Sequence, residues 1–230
     1  MTRVRFVEKG LADLLRTAAV AGALAIGSVL VAGTVTPASA NAITYSLTTD
    51  DCTGTCGTAP FGTVTVSSIS TTEVSVDLTL KAGEVFATGG AGDALLFDIT
   101  GDPSITVSGL TSGFTATSTA SGQSIHADGT GSWDYSIDCT GCGHGTSPPQ
   151  FSGPLDFDVT VAGGITPASF VKNGNSLFFA TDIGGTNGKT GDVAAPTGVP
   201  VTPSVPEPAS VAILGVGMFA LGLIRRRRTQ

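Results

Sequence analysis

Apolar and polar residues alternate over short stretches in the middle of the chain. In the stretch 72–80, every second residue from Val74 to Leu80 is aliphatic and the residues between them are polar. This period of two is typical of a β-strand that is buried on one face only. The run 94–99 is more continuously apolar, which indicates a strand at the centre of a sheet.

Similar short runs recur along the chain and predict an all-β domain. They are separated by turn signals such as Gly101-Asp102-Pro103 and Asn173-Gly174. We predict an antiparallel β-sandwich of about eight or nine short strands, with a closed barrel as the alternative. The other predicted strands are 44–48, 62–70, 104–107, 115–119, 131–137, 155–161 and 176–180.

The amino end has the three-part organisation of an export signal. Four basic residues precede an almost wholly apolar or small stretch at 17–33, and a proline and Ala38-Ser39-Ala40 follow. Signal peptidase requires small side chains beside its cleavage site. The succession of basic, apolar and small residues therefore predicts a secretory signal helix at residues 1–40. We expect insertion by the Sec translocon and cleavage by signal peptidase after Ala40, with Ala42 as the alternative. An uncleaved membrane anchor is the competing interpretation.

The carboxyl end carries a short apolar span followed by a basic cluster. Residues 209–224 would extend roughly 24 Å as a helix, which is marginally long enough to cross a hydrocarbon core of about 30 Å. The following Arg225, Arg226, Arg227 and Arg228 act as a stop-transfer signal by the positive-inside rule. The rest of the chain then faces outward, in agreement with the signal peptide.

The residues before this span carry a specific resemblance. Val205-Pro206-Glu207-Pro208-Ala209-Ser210, the glycine-bearing span and the terminal arginines resemble the PEP-CTERM sorting tail. The resemblance implies that exosortase, a membrane-embedded cysteine transpeptidase of bacteria that make exopolysaccharide, recognises Pro206, Glu207 and Pro208. It further implies cleavage near this motif, a transient membrane anchor at 209–224, and delivery to the cell surface or the extracellular space. A plain single-span anchor is the alternative.

These signals divide the chain into four segments. We predict a signal peptide at 1–40, an extracytoplasmic β-sandwich domain at 41–193, a proline-rich linker at 194–204, and the sorting tail at 205–230. An unstructured linker would make the sorting motif reachable by the enzyme.

The charge of the middle of the chain is strongly negative. The formal net charge of the whole chain is -7, but eight of the eleven basic residues lie in the two end segments. Between residues 41 and 204, only Lys81, Lys172 and Lys189 oppose fifteen Asp and Glu residues. A surface of this sign repels phosphate backbones, so we expect no nucleic-acid partner.

Four cysteines form two closely spaced pairs with similar contexts, Asp51-Cys52-Thr53-Gly54 and Asp138-Cys139-Thr140-Gly141. In an exported protein we expect the local disulfides Cys52–Cys56 and Cys139–Cys142, with cross-pairing as the alternative. A four-cysteine zinc site has nearly suitable spacing, but export to an oxidising compartment disfavours it. A redox-active pair would normally begin a helix, which the glycine and proline residues after Cys142 do not favour.

No catalytic motif is present in the sequence, so we expect a non-enzymatic protein without a cofactor. Asp156 and Asp158 alternate on one strand face, where two carboxylates could serve glycoside hydrolysis. A solvent-facing strand is the simpler interpretation. The segment from Asp128 to Asp134 resembles half of a calcium loop and makes these two residues a candidate calcium site.

The function that best fits these features is a cell-surface or extracellular-matrix protein linked to exopolysaccharide or biofilm. A carbohydrate- or calcium-binding module is the first alternative, and an exposed Trp133 would favour it. We expect instead that Trp133 and Tyr135, which share a strand face, belong to the core. An extracellular hydrolase is the second alternative.

Overall fold

The structure, a computed structural model, describes residues 42–87, 93–143 and 150–201, all of which lie in one compact unit. The predicted signal peptide, the sorting motif, the apolar span and the arginine cluster lie outside the described residues. Within the described ranges, the one helical element is a single 3₁₀ turn at Pro167–Ser169. No helix there is long and apolar enough to span a membrane.

The described residues confirm the prediction of an all-β fold with antiparallel strands. The expected number of strands was too low, because several strands of two or three residues carry no detectable alternation. The sixteen strands are β1 (Ala42–Leu47), β2 (Thr49–Asp50), β3 (Gly62–Ser68), β4 (Glu73–Leu80), β5 (Val85–Phe86), β6 (Asp93–Ile99), β7 (Thr106–Ser108), β8 (Phe114–Ser118), β9 (Ile125–Ala127), β10 (Gly131–Trp133), β11 (Tyr135–Cys139), β12 (Leu155–Thr160), β13 (Phe170–Val171), β14 (Phe179–Gly184), β15 (Thr190–Ala195) and β16 (Gly198–Val201).

The first sheet has the order β16-β1-β3-β4-β12-β7 and is antiparallel throughout. Along β4, buried residues alternate with more exposed ones, which confirms the period of two read from the sequence. Its two ends are separate edge strands, so the sheet is open rather than closed into a barrel.

The second sheet has the order β2-β15-β14-β6-β11-β8, with β5 added beside β14 and β13 beside β6. All seven residues of β6 are buried, so its continuous apolar run correctly indicated a central strand. A separate two-stranded ribbon, β9–β10, packs Trp133 against Leu96, Ala180 and Ala194 of this sheet.

The two sheets face each other across one apolar core in which Phe97 of β6 is the hub. Its ring lies 6.2 Å from that of Phe157 on the first sheet and 5.4 Å from that of Tyr135 on β11. It also lies 5.6 Å from Phe170 and 6.2 Å from Phe179. Each such aromatic pair contributes about 0.5–1.5 kcal/mol beyond the area it buries.

The prediction of an unstructured linker at 194–204 is wrong for the residues up to Val201. Ala194 and Ala195 end β15 and are fully buried, and 198–201 form β16 against β1. Small residues in β15 and a proline in β16 hide the strand pattern. Pro200 is tolerated because β16 is an edge strand, where a missing N–H breaks no ladder.

The predicted single strand at 131–137 is two strands with different partners. β10 pairs with β9, whereas β11 pairs with β6 and β8. The break falls at Asp134, whose backbone N–H donates to the side-chain carboxylate of Asp98 in β6 at 2.7 Å.

Substituting the hub of the core should destabilise the whole domain. We expect Phe97→Ala to lower the free energy of unfolding by about 3–5 kcal/mol, because it opens a cavity that rings from both sheets line. Ile69→Ala is the matched control, since Ile69 is 52% exposed; its effect should stay within about 0.5 kcal/mol. Denaturant unfolding of the oxidised protein measures both, and similar losses in the two variants would contradict the assigned core.

Candidate functional site

The structure joins the cysteines as the two local pairs, Cys52–Cys56 and Cys139–Cys142. These bonds exclude cross-pairing and leave no thiolate for a four-cysteine zinc site. Among the described residues, the potential metal ligands that converge as a group of three are Asp50, Cys52 and Cys56. Two of these three are joined to each other as a disulfide, so the group is not a thiolate site.

Each disulfide closes a loop that is fixed by backbone hydrogen bonds. The Asp50 carboxylate accepts the N–H groups of Cys52 at 3.1 Å and of Cys56 at 3.2 Å, and the hydroxyl of Thr55 at 2.5 Å. In the other loop, the Thr140 N–H donates to the carbonyl oxygen of Gly113 at 2.8 Å. The Asp50 carboxylate therefore holds the Cys52–Cys56 loop in place.

The structure does not bring the two candidate calcium ligands together. Asp128 lies in the turn of the β9–β10 ribbon, whereas Asp134 lies beyond the far end of β10. The three extended residues of β10, which lie between them, alone span about 10 Å, and calcium–oxygen bonds are only about 2.3–2.6 Å long. Asp128 acts electrostatically on Asp192, and Asp134 on Asp98, so they belong to different carboxylate groups.

The aromatic residues that could have stacked on a sugar are buried. Trp133 is 1% exposed, and its Nε1–H donates to Thr130 Oγ1, which in turn donates to the Asp192 carboxylate at 2.9 Å. Tyr135 is also buried, and its hydroxyl lies 2.5 Å from the carbonyl oxygen of Pro103. The core assignment is confirmed for both. The prediction that these two side chains share a strand face is wrong, because Trp133 packs outside the second sheet and Tyr135 packs between the sheets.

Three pairs of aspartates lie directly opposite each other on neighbouring strands. They are Asp77 and Asp156, Asp93 and Asp138, and Asp182 and Asp192. Like charges in directly opposed positions destabilise a sheet. The sequence shows that carboxylates far outnumber cations, but only the register reveals which ones meet.

Burial makes three carboxyl groups of the second sheet, those of Asp93, Asp98 and Asp192, unusually weak acids. Burial, reinforced by the hydrogen bond and charge of Asp138, raises the pKa of Asp93 to about 8. Burial also raises the pKa values of Asp98 and Asp192 to about 6. These groups therefore hold protons in the pH range where ordinary carboxyl groups are ionised.

Asp156 and Asp158 lie on the outer face of β12, with Phe157 buried between them, as the alternation indicated. Burial raises the pKa of Asp156, and the hydrogen bond and charge of its cross-strand partner Asp77 raise it further. Asp158 instead lies opposite Ser75 and Ser108. A surface groove of about 430 Å³ beside Thr79 and Lys81 has no carboxylate in its lining. The paired carboxylates therefore do not line this groove as the two acids of a glycosidase would.

Comparison with known proteins identifies the tail. Residues 204–228 match the family model for the PEP-CTERM protein-sorting motif. No curated protein and no solved structure matches the chain. The protein therefore combines an antiparallel β domain with a carboxyl-terminal sorting tail. That tail is a PEP-CTERM tail, which implies exosortase as the processing partner and an exported, membrane-anchored precursor.

The raised carboxyl pKa values predict that the domain becomes less stable as the pH rises. In the unfolded chain, Asp93 titrates near pH 4, whereas in the fold its pKa is about 8. The folded state binds this proton more tightly, so stability is greatest below about pH 4 for this group and is lost as the pH rises through 8. We expect the melting temperature to fall between pH 5 and pH 8.5.

The variant Asp93→Asn tests the cause of this dependence. At pH 8 it should raise the free energy of unfolding by on the order of 1 kcal/mol, or about 2–4 °C in Tm, and at pH 4.5 it should add little. Asp158→Asn is the control, because Asp158 faces serines rather than a second carboxylate. A wild-type Tm that rises toward pH 8, or equal responses of both variants, would refute the assignment.

Proposed function

We propose that this protein is a non-enzymatic cell-surface or matrix component that exosortase processes and that associates with exopolysaccharide or biofilm. The observation that carries the proposal is the sorting motif at 204–228. The tail directs sorting of the protein to the outer surface, and the β domain is the part that remains there after processing.

The distance along the chain between the sheet and the sorting motif supports processing that leaves the domain intact. The strand β16 ends at Val201, and only residues 202–205 precede Pro206. Four extended residues span at most about 14 Å. Cleavage near Pro206-Glu207-Pro208 would therefore release or attach a complete β domain, with the edge of its first sheet close to the new terminus.

The outer face of the first sheet supports a role in a hydrated matrix. One cross-strand row on this face consists of Thr44, Thr65, Asp77 and Asp156. The Thr44 and Thr65 hydroxyls lie 3.3 Å apart. A sheet face of hydroxyl and carboxyl groups remains solvated and can hydrogen-bond to neighbouring polysaccharide hydroxyls.

One observation favours an alternative function as a cation-binding module. Aspartates lie opposite each other in the second sheet, and the domain has too few lysines to neutralise them. Calorimetric titration with calcium and with host polysaccharide distinguishes this alternative from a purely structural matrix role. For stacking on sugar rings the buried Trp133 offers no support.

Mass spectrometry of the protein from its own host tests the sorting proposal. We expect a mature carboxyl terminus near Pro206-Glu207-Pro208 and no peptide containing Arg225–Arg228 when exosortase is present, with the arginines retained when it is deleted. Glu207→Ala should block processing. Pro203→Ala is the matched control, since it alters a proline of the same segment outside the motif, and it should be processed normally. Retention of the arginines in an exosortase-containing host would overturn the proposal.

A further inference from the structure

The large apolar side chains that are exposed among the described residues gather at one corner of the first sheet. They are Ile69, Val199 and Val201, which are 52%, 66% and 46% exposed, and we call them the apolar corner. Val199 lies opposite Thr44 and Val201 lies opposite Ala42. Because Thr44 belongs to the hydroxyl row on the outer face of the sheet, both valines project from that face. Single exposed apolar residues are ordinary, but a group of them marks an interaction surface.

Ile69 extends the apolar corner onto a third strand. Ala42 lies opposite Ser67 of β3 as well as opposite Val201, and Ile69 follows Ser67 by two residues. The Ile69 N–H donates to the carbonyl oxygen of Glu73 at 3.0 Å, so the pairing of β3 with β4 continues to this residue. Residues two apart in an extended chain project from the same face. From the spacing of strands and residues, the corner extends over roughly 16 Å of the outer face.

Both ends of the described domain leave the first sheet at this corner. The strand β1 begins at Ala42, β16 ends at Val201, and these two residues lie opposite each other. Only residues 202–208 separate Val201 from the apolar span at 209–224. Seven extended residues reach at most about 25 Å. A span that anchors the precursor in a membrane therefore keeps the apolar corner close to the lipid surface.

The chemistry of the corner suits lipid better than a charged or sugar-like partner. None of the residues of β16, β1 and β3 is charged, and carboxylates begin on the next strand, β4, with Glu73 and Asp77. Three partly exposed aliphatic side chains bury too little area to hold a free domain on a bilayer. A short tether to the membrane raises their effective concentration at the lipid surface, which makes a weak contact sufficient.

We propose that the apolar corner rests on the lipid surface while the precursor is anchored in the membrane. The inference rests on the anchored precursor of the proposed function and adds the orientation of the β domain to it. The edge formed by β1 and β16 faces the membrane, and the carboxylates of β4 and β12 remain in water. Once processing removes the span, the tether no longer reinforces the contact, so the domain leaves the lipid surface.

Fluorescence quenching of the full-length, oxidised chain in phosphatidylcholine vesicles tests this contact. Val199→Trp places a reporter in the corner, and bromine atoms on the lipid acyl chains quench a tryptophan that reaches them. We expect a roughly twofold loss of the added emission, because side chains that dock at the interface reach the acyl boundary. Thr79→Trp is the matched control and should be quenched little, since Thr79 is exposed at the other end of the same face. The native Trp133 is 1% exposed and gives a constant background.

Ile69→Ser together with Val201→Ser distinguishes contact through the corner from mere proximity to the vesicle. Added to Val199→Trp, this pair should restore most of the emission and leave the Tm nearly unchanged. Equal quenching of the two reporters, or no quenching of Val199→Trp in chains that float with the vesicles, overturns the proposal. Slower removal of the tail in the host without quenching in vesicles also overturns it, because the corner then contacts the processing enzyme. Chains that do not float with the vesicles contradict the membrane anchor itself and overturn both proposals.

Discussion

The packing of Phe97 between the two sheets fixes the strand register on which the other features depend. Its ring contacts aromatic residues of β11, β12, β13 and β14 at the same time. In a sheet, a slip of one residue would turn every such side chain to the opposite face. The core therefore determines which polar residues face each other on the outer sides of the sheets.

The register that satisfies the core brings aspartates into opposition. Pairs such as Asp93 with Asp138 are an electrostatic cost of this arrangement. Protons relieve that cost at Asp93, whose pKa is raised to about 8. A proton from the solvent is the available counter-charge, since only three lysines oppose the fifteen Asp and Glu residues between residues 41 and 204.

Much of the fold was readable because simple periodicities report burial. The alternation from Val74 to Leu80 correctly indicated a strand buried on one face, and the continuous run in β6 correctly indicated a fully buried central strand. The carboxyl-terminal strands were missed, because alanine and glycine in β15 and proline in β16 resemble a linker in composition. There, tertiary pairing with β1 and β14 determines the structure rather than local preference.

The candidate sites were less readable for a related reason. Cysteine spacing and a contiguous sorting motif are local, so the two disulfides and the tail could be inferred directly. Asp93 and Asp138 are 45 residues apart in the sequence, and Asp77 and Asp156 are 79 residues apart. Only the strand register brings each pair together.

The central claim is that sorting delivers a complete, oxidised β domain to the cell exterior. Intact-mass analysis of the mature protein, before and after reduction, tests it most directly. We expect one chain that begins after the signal peptide and ends near Pro206-Glu207-Pro208. On reduction its mass should increase by the four hydrogens of two disulfides. A mature chain that retains Arg225–Arg228, or one that has lost β16 through cleavage before Val201, would contradict it.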